Sequence, residues 1–146
     1  MDDERVPQDA LLALLADTDR GVLATLKRDG RPQLSNVNHT YDPGRRLLRV
    51  SVTAGRAKTR NLLRDPRASY HVTTPDGWAW TVAEGDAELT PVAEDPYDAV
   101  VEELIEVYRA VQGEHPDWSD YRAAMVADRR MVLRVWVRRA YGQPRR

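Results

Sequence analysis

The chain has 146 residues, 42% of them hydrophobic and 31% charged, with a formal net charge of −1. That size and apolar content fit a single domain, residues 1–146, with a core of its own. No cysteine is present, which excludes disulfides, thiolate metal sites, iron–sulfur clusters and a cysteine nucleophile. No apolar run approaches the ~20 residues of a membrane span, and the acidic start (Asp2, Asp3, Glu4) is unlike a signal peptide. A cytoplasmic location is therefore expected, and the Asn38-His39-Thr40 glycosylation pattern lacks a secretory context.

Pro7 opens a helix with Leu11, Leu12, Leu14 and Leu15 on one face, ended by Asp17-Thr18-Asp19. Residues 21–27 read as a central strand, apolar on both faces. Asp29-Gly30 is a tight hairpin signal leading into a second strand over residues 31–41. Asp42-Pro43-Gly44 turns the chain again into residues 47–52, giving three consecutive antiparallel strands.

A cationic helix then spans residues 56–63 and stops before Asp65-Pro66. Residues 67–73 form a fourth strand. Pro75-Asp76-Gly77 turns into a fifth over residues 78–90, with Gly85 marking a bulge or close contact. From Asp95-Pro96, apolar residues from Tyr97 to Val111 recur at helical spacing. Ser119 is the expected cap of a short helix through Met125, and residues 131–137 close the chain as a sixth strand. The expected architecture is α+β and β-dominated: six antiparallel strands, helices inserted, closed into a small barrel that removes exposed edges.

Charge is segregated along the chain. Residues 27–67 carry eleven Lys/Arg against three acids, whereas residues 76–128 carry fourteen acids against two arginines. Arginine outnumbers lysine twenty to two, so a lysine at position 58 stands out. The basic segment includes the turn after the third strand, where Arg56, Lys58, Arg60 and the Thr59 hydroxyl surround a helix start. Unpaired backbone N–H groups and the helix dipole attract anions there, and the combination suits a phosphate. The plainer reading is a solvated basic helix end.

The second strand is polar on both faces, with Gln33 and Ser35 on one side and Asn36 and Asn38 on the other. That pattern fits a strand lining a ligand groove or an interface, or an ordinary edge strand. Gln33–Val37, Ser51-Val52 and Arg56–Asn61 lie on adjoining elements and suit a flat heteroaromatic ring with a phosphate tail. Trp78 and Trp80 offer an aromatic wall or core packing. The motifs GxGxxG, P-loop lysine, GxSxG and HExxH are all missing. His39, His71 and His115 stand apart, so no metal is expected. Glu84, Asp86 and Glu88 share one face, as an exposed strand does. A pI near 6.3 and no aromatic interleaving among the arginines argue against a nucleic-acid partner.

These residues carry a family resemblance. Residues 21–26 with 29–37, the run 56–62 with 65–69, and residues 83–89 resemble the pyridoxamine 5′-phosphate oxidase-like split barrels, over almost the whole chain. Residues 114–118, 120–122 and 128–130 are similar to the late helical region of the branch that uses the deazaflavin coenzyme F420. The resemblance implies a six-stranded split β-barrel and a homodimer with cofactor sites at the subunit interface. It places F420 along Gln33, Leu34, Ser35, Asn36 and Val37, with Ser51, Val52, Trp78 and Ala79 close by. The phosphate would sit near Arg56, Ala57, Lys58, Thr59 and Asn61.

The activity implied is hydride transfer from reduced F420 to a small conjugated acceptor. FMN in the same barrel is the alternative cofactor, and a non-catalytic F420 carrier is the alternative role. Pyridoxamine phosphate oxidation is disfavoured, because Arg138-Arg139-Ala140-Tyr141-Gly142 lacks that enzyme's C-terminal histidine. His39, Tyr41 and Tyr70 are conceivable proton donors, and no catalytic residue is assigned.

Overall fold

The computed structural model describes residues 7–146, so the acidic Asp2, Asp3 and Glu4 lie outside the described residues. The first half of the chain forms α1 (Gln8–Asp17), β1 (Arg20–Leu26), β2 (Pro32–Asn38), β3 (Thr40–Asp42), β4 (Leu47–Thr53) and α2 (Ala57–Arg64). The second half forms β5 (Arg67–Thr73), β6 (Trp80–Leu89), α3 (Ala99–Gln112), α4 (Trp118–Ala127) and β7 (Arg130–Gln143). All pairings are antiparallel in one seven-stranded sheet of order β2-β1-β5-β6-β7-β4-β3. The fold is α+β and β-dominated, as expected, with one strand more than the six expected.

The extra strand comes from a break at His39 in the stretch expected to be one strand. β2 pairs with β1 along its whole length, from Arg20 opposite Asn38 to Leu26 opposite Pro32. At His39 the backbone N–H donates instead to the Asp19 carbonyl at 2.9 Å. Thr40–Asp42 then pairs with β4. The hairpin expected to lay residues 33–37 beside residues 47–52 is therefore confined to β3, and β2 belongs to the opposite edge of the sheet.

The Asp29-Gly30 turn is as expected. Gly30 adopts φ +87° and donates to the Lys27 carbonyl at 2.9 Å, while Asp29 Oδ1 accepts from the Arg31 N–H at 3.0 Å. Gly85 is a close approach between backbones. The β6–β7 register slips between Glu84 and Gly85, and a Cβ at residue 85 would lie 2.1 Å from the Trp136 carbonyl oxygen. β7 runs to Gln143, beyond the expected end at residue 137, because Ala140 and Gly142 keep pairing with Ala83 and Thr81.

Two apolar clusters fill the molecule. The larger joins the four α1 leucines to Leu23, Tyr70, Val72, Leu133 and their neighbours inside the curled sheet. Each such side chain contributes about 1.5–3 kcal/mol when fully buried. Polar staples fix α1 in place: Gln8 exchanges bonds with the Ala140 backbone at 2.8 and 2.9 Å, and Thr81 Oγ1 donates to the Leu11 carbonyl at 2.8 Å.

The smaller cluster packs α3 and α4 on Val132 of β7. Asp98 caps α3, accepting from the Val101 N–H at 2.9 Å. Asp117 caps α4, accepting from the Asp120 N–H at 3.1 Å, so the cap is two residues earlier than the expected Ser119. Replacing Gly85 by Ala is expected to destabilise the chain by about 2 kcal/mol, because backbone blocks the added methyl. Urea unfolding of Gly85→Ala measures this.

Candidate functional site

Curling brings the ends of β2 and β4 together, and a cleft of about 700 Å³ opens between them. Asn36, Val37 and Asn38 line one side, and Ser51, Val52 and Thr53 the other. The start of α2 supplies Arg56 and Lys58, and β7 supplies Arg130 at its first position. The remaining wall comes from α3 and α4, through Val107, Tyr108, Val111, Tyr121 and Met125. The cleft is thus basic on one wall and apolar on the other.

The start of α2 is left open. Its N-cap is Arg56, whose side chain makes no capping bond, so the first-turn amides lack that partner. Among the described residues, Arg56 and Lys58 make no ion pair. Burial lowers the Lys58 pKa from the ordinary lysine value, and the charges of Arg56 and Arg130 lower it further. Cations crowded together with no counterion, beside open amides, have the chemistry that suits an anion.

The arginines that face α3 and β6 are matched by acids. Glu103 and Glu106 of α3 reach Arg49 at 3.7 and 2.8 Å, and Glu88 reaches Arg134 at 2.6 Å. Arg134 also binds Glu103, Arg138 binds Asp86, and Arg139 lies 3.6 Å from Glu84. The Glu84, Asp86 and Glu88 face thus pairs with β7. Among the described residues, no cluster of His, Asp or Glu is arranged to hold a metal ion.

Of the residues singled out by the sequence, Asn36, Val37, Ser51, Val52, Arg56 and Lys58 meet in this cleft. Thr59, Asn61 and Gln33 support it from behind. The Thr59 hydroxyl is buried and donates to the Thr53 carbonyl at 2.9 Å, stapling α2 to the end of β4. Asn61 is buried and donates to Thr25 Oγ1 and Gln33 Oε1, both at 3.1 Å. Ala57 and Ser35 are half-buried beside them, and Leu34 faces outward at 66% exposure.

Trp78 and Ala79 are not brought to this cleft within one chain. They line a second one, of about 930 Å³, with Asp76, Trp80 and the C-terminal residues. Trp78 is 77% exposed there. Sequence reasoning missed Arg130, Arg20, Tyr108 and Tyr121, which also line the basic cleft. Arg130 stands opposite Thr53 in the β4–β7 ladder. Its signal was available only to someone who already knew that register.

Comparison with known proteins follows the same lines. The sequence profile described as pyridoxamine 5′-phosphate oxidase matches residues 7–143. The chain belongs to the pyridoxamine 5′-phosphate oxidase family. It is 30% identical to an F420H(2)-dependent biliverdin reductase of Mycobacterium tuberculosis, over 94% of this chain and 88% of that protein.

Among solved structures, an F420 reductase is 25% identical with a TM-score of 0.72, covering 93% of this chain and 98% of its own. A conserved hypothetical protein of Mycobacterium tuberculosis superposes with a TM-score of 0.73 at 22% identity, over 99% of this chain and 88% of that one. The latter shows the shared fold. The split barrel and the family resemblance read from the sequence both hold, and two of these relatives are named for F420.

In this family member, two of the conceivable proton donors are tied into structure. His39 is 1% exposed, with Nδ1 2.5 Å from the Tyr70 hydroxyl and Nε2 3.0 Å from the Leu15 carbonyl. A carbonyl only accepts, so Nε2 carries the proton and Nδ1 accepts from Tyr70. Burial lowers the His39 pKa and raises that of Tyr70. Tyr41 has a buried hydroxyl with no hydrogen-bond partner among the described residues, and burial raises its pKa as well.

The sign for His39 follows from its neutral folded form. Below about pH 6.5 the unfolded chain takes up a proton there that the folded chain refuses, so stability falls as pH drops through that value. Urea melts at pH 7.5 and 5.5 are expected to show this loss. The slope with pH is expected to be smaller in His39→Gln.

Proposed function

We propose that this chain is a cytoplasmic, homodimeric F420H2-dependent reductase that delivers hydride to a small conjugated acceptor. The observation that carries this reading is the uncompensated basic wall at the start of α2. Lys58 and Arg56 face the cleft there without an acidic partner among the described residues, while Glu103 and Glu106 of α3 are spent on Arg49 and Arg134 and Glu102 on Arg122. The two relatives named for F420 support it.

The residues present fit such a cofactor. Open amides and two cations suit its phosphate, and a further cation on the same cleft, Arg20, suits an acidic tail. FMN has a phosphate but no such tail, so the surplus of charge favours F420. Asn36, Asn38 and Ser51 offer polar groups to a heteroaromatic edge, and Val37, Val52 and the α3–α4 wall offer apolar contact.

When bound, reduced F420 supplies the hydride, so the protein needs no nucleophile of its own. Its residues hold and orient the bound groups and exclude water, which is where the rate advantage arises. Thr59 and Asn61 fix α2 against β4 and β2, so that Lys58 is presented from a rigid base. The pairing into a homodimer is what the family resemblance implies, and it would cover exposed apolar side chains such as Leu34 and Trp78.

The test is titration of the purified protein with F420 and with FMN, followed by turnover of reduced F420 on a panel of conjugated acceptors. Binding of F420 with turnover is expected. Tight FMN binding without F420 binding overturns the cofactor, and F420 binding without turnover makes the chain a carrier. Lys58→Ala is expected to weaken F420 by about 1.5–3 kcal/mol, the usual cost of losing one charged contact. Unchanged affinity places the phosphate elsewhere.

A further inference from the structure

We infer that Arg130 is the second arm of the phosphate site, closing from β7 on the same anion that Lys58 meets from α2. This rests on the F420 reading above and adds a specificity-determining residue to it. Arg130 opens β7, opposite Thr53, where its side chain enters the cleft beside Arg56 and Lys58.

A guanidinium carries five N–H donors. Here Nε is fully buried with no partner among the described residues, as Arg49 Nε is, but Arg49 has carboxylates on its terminal nitrogen and Arg130 has none. One terminal nitrogen lies 3.4 Å from Ser51 Oγ, at the weak limit of a hydrogen bond. That single long contact does not satisfy the group.

The contrast with its neighbours on the same sheet is instructive. Four residues further along β7, Arg134 is held by Glu103 and Glu88, and Arg49 on β4 is held by Glu106 at 2.8 Å. These arginines look toward α3 and each has a carboxylate. Arg130 looks into the cleft and, among the described residues, has none. Its field is felt on both walls: it lowers the pKa of Lys58 and opposes the burial that raises Tyr121 to about 12.

Gathering three cations with a buried, unbonded nitrogen costs stability unless an anion completes them. A doubly hydrogen-bonding guanidinium and a compact ammonium converging from two elements match the oxygens of a phosphate ester. Arg130 thereby sets a preference for the phosphate-bearing deazaflavin over its bare chromophore.

The experiment compares wild type with Arg130→Gln and Arg130→Lys by fluorescence titration against three forms: F420, its phospholactyl form lacking glutamates, and the phosphate-free chromophore. Arg130→Gln is expected to lose about tenfold in affinity for both phosphate-bearing forms and to stay within about twofold for the chromophore. Arg130→Lys is expected to recover part of the loss. Equal loss on all three forms makes Arg130 a structural strut, loss confined to the glutamylated form makes it a reader of the tail, and no loss removes it from the site; each overturns the inference.

Melting curves with inorganic phosphate give a second readout. The wild type is expected to gain stability from phosphate, and Arg130→Gln to gain less. Should the wild type bind phosphate through Arg130 and yet fail to bind F420, the cofactor reading fails while the anion site stands. A phosphate shift that is the same in both proteins counts against Arg130.

Discussion

The barrel depends on what happens at His39. β2 and β3 sit at opposite ends of the strand order, yet one residue separates them in the chain. Covalent continuity therefore forces the two edges of the sheet to meet, and the sheet must curl. His39 makes the junction tolerable: its N–H binds Asp19, and its ring bridges Tyr70 on β5 and Leu15 on α1. A buried imidazole with both nitrogens bonded has no unpaired polar atom, so the seam closes around it without penalty. The cleft exists because β2 and β4 are held near each other by this closure rather than by pairing.

Charge is distributed to match. Outside, α3 is clasped to β4 and β7 by Glu103, Glu106, Arg49 and Arg134. Inside the cleft, Arg56, Lys58 and Arg130 face one another. The segregation visible along the chain becomes two different surfaces in space. The acidic helix meets the arginines of the sheet, and Arg56 and Lys58 of the basic turn meet no acid among the described residues. Neighbouring cations of this kind lower the stability of the empty protein and raise the gain from binding an anion.

Much of this was legible in the residues. Asp29-Gly30 needs a left-handed residue at its second position, and Gly85 signalled its contact by being a glycine in a strand. The leucines of α1 and the cations of α2 declared themselves by spacing. The break at His39 did not, because residues 31–41 keep strand-forming composition across the corner; only the long-range bonds to Asp19, Leu15 and Tyr70 reveal it. Arg130 and the α3–α4 wall were hidden for a similar reason. They reach the cleft through the β4–β7 register, which local patterns do not encode. The placing of Trp78 and Ala79 close to the cofactor came from family resemblance, and one chain alone sets them in a separate cleft.

The bond from His39 to the Leu15 carbonyl ties the barrel seam to the first helix, and Gln8 and Thr81 tie that helix to β7 and β6. The leading helix is therefore a plug rather than an appendage. Trimming the helix, or fusing a bulky partner hard against Gln8, would pull on the corner beside which Val37 and Asn38 line the cleft. Engineering at the front of this protein acts on the shape of that cleft.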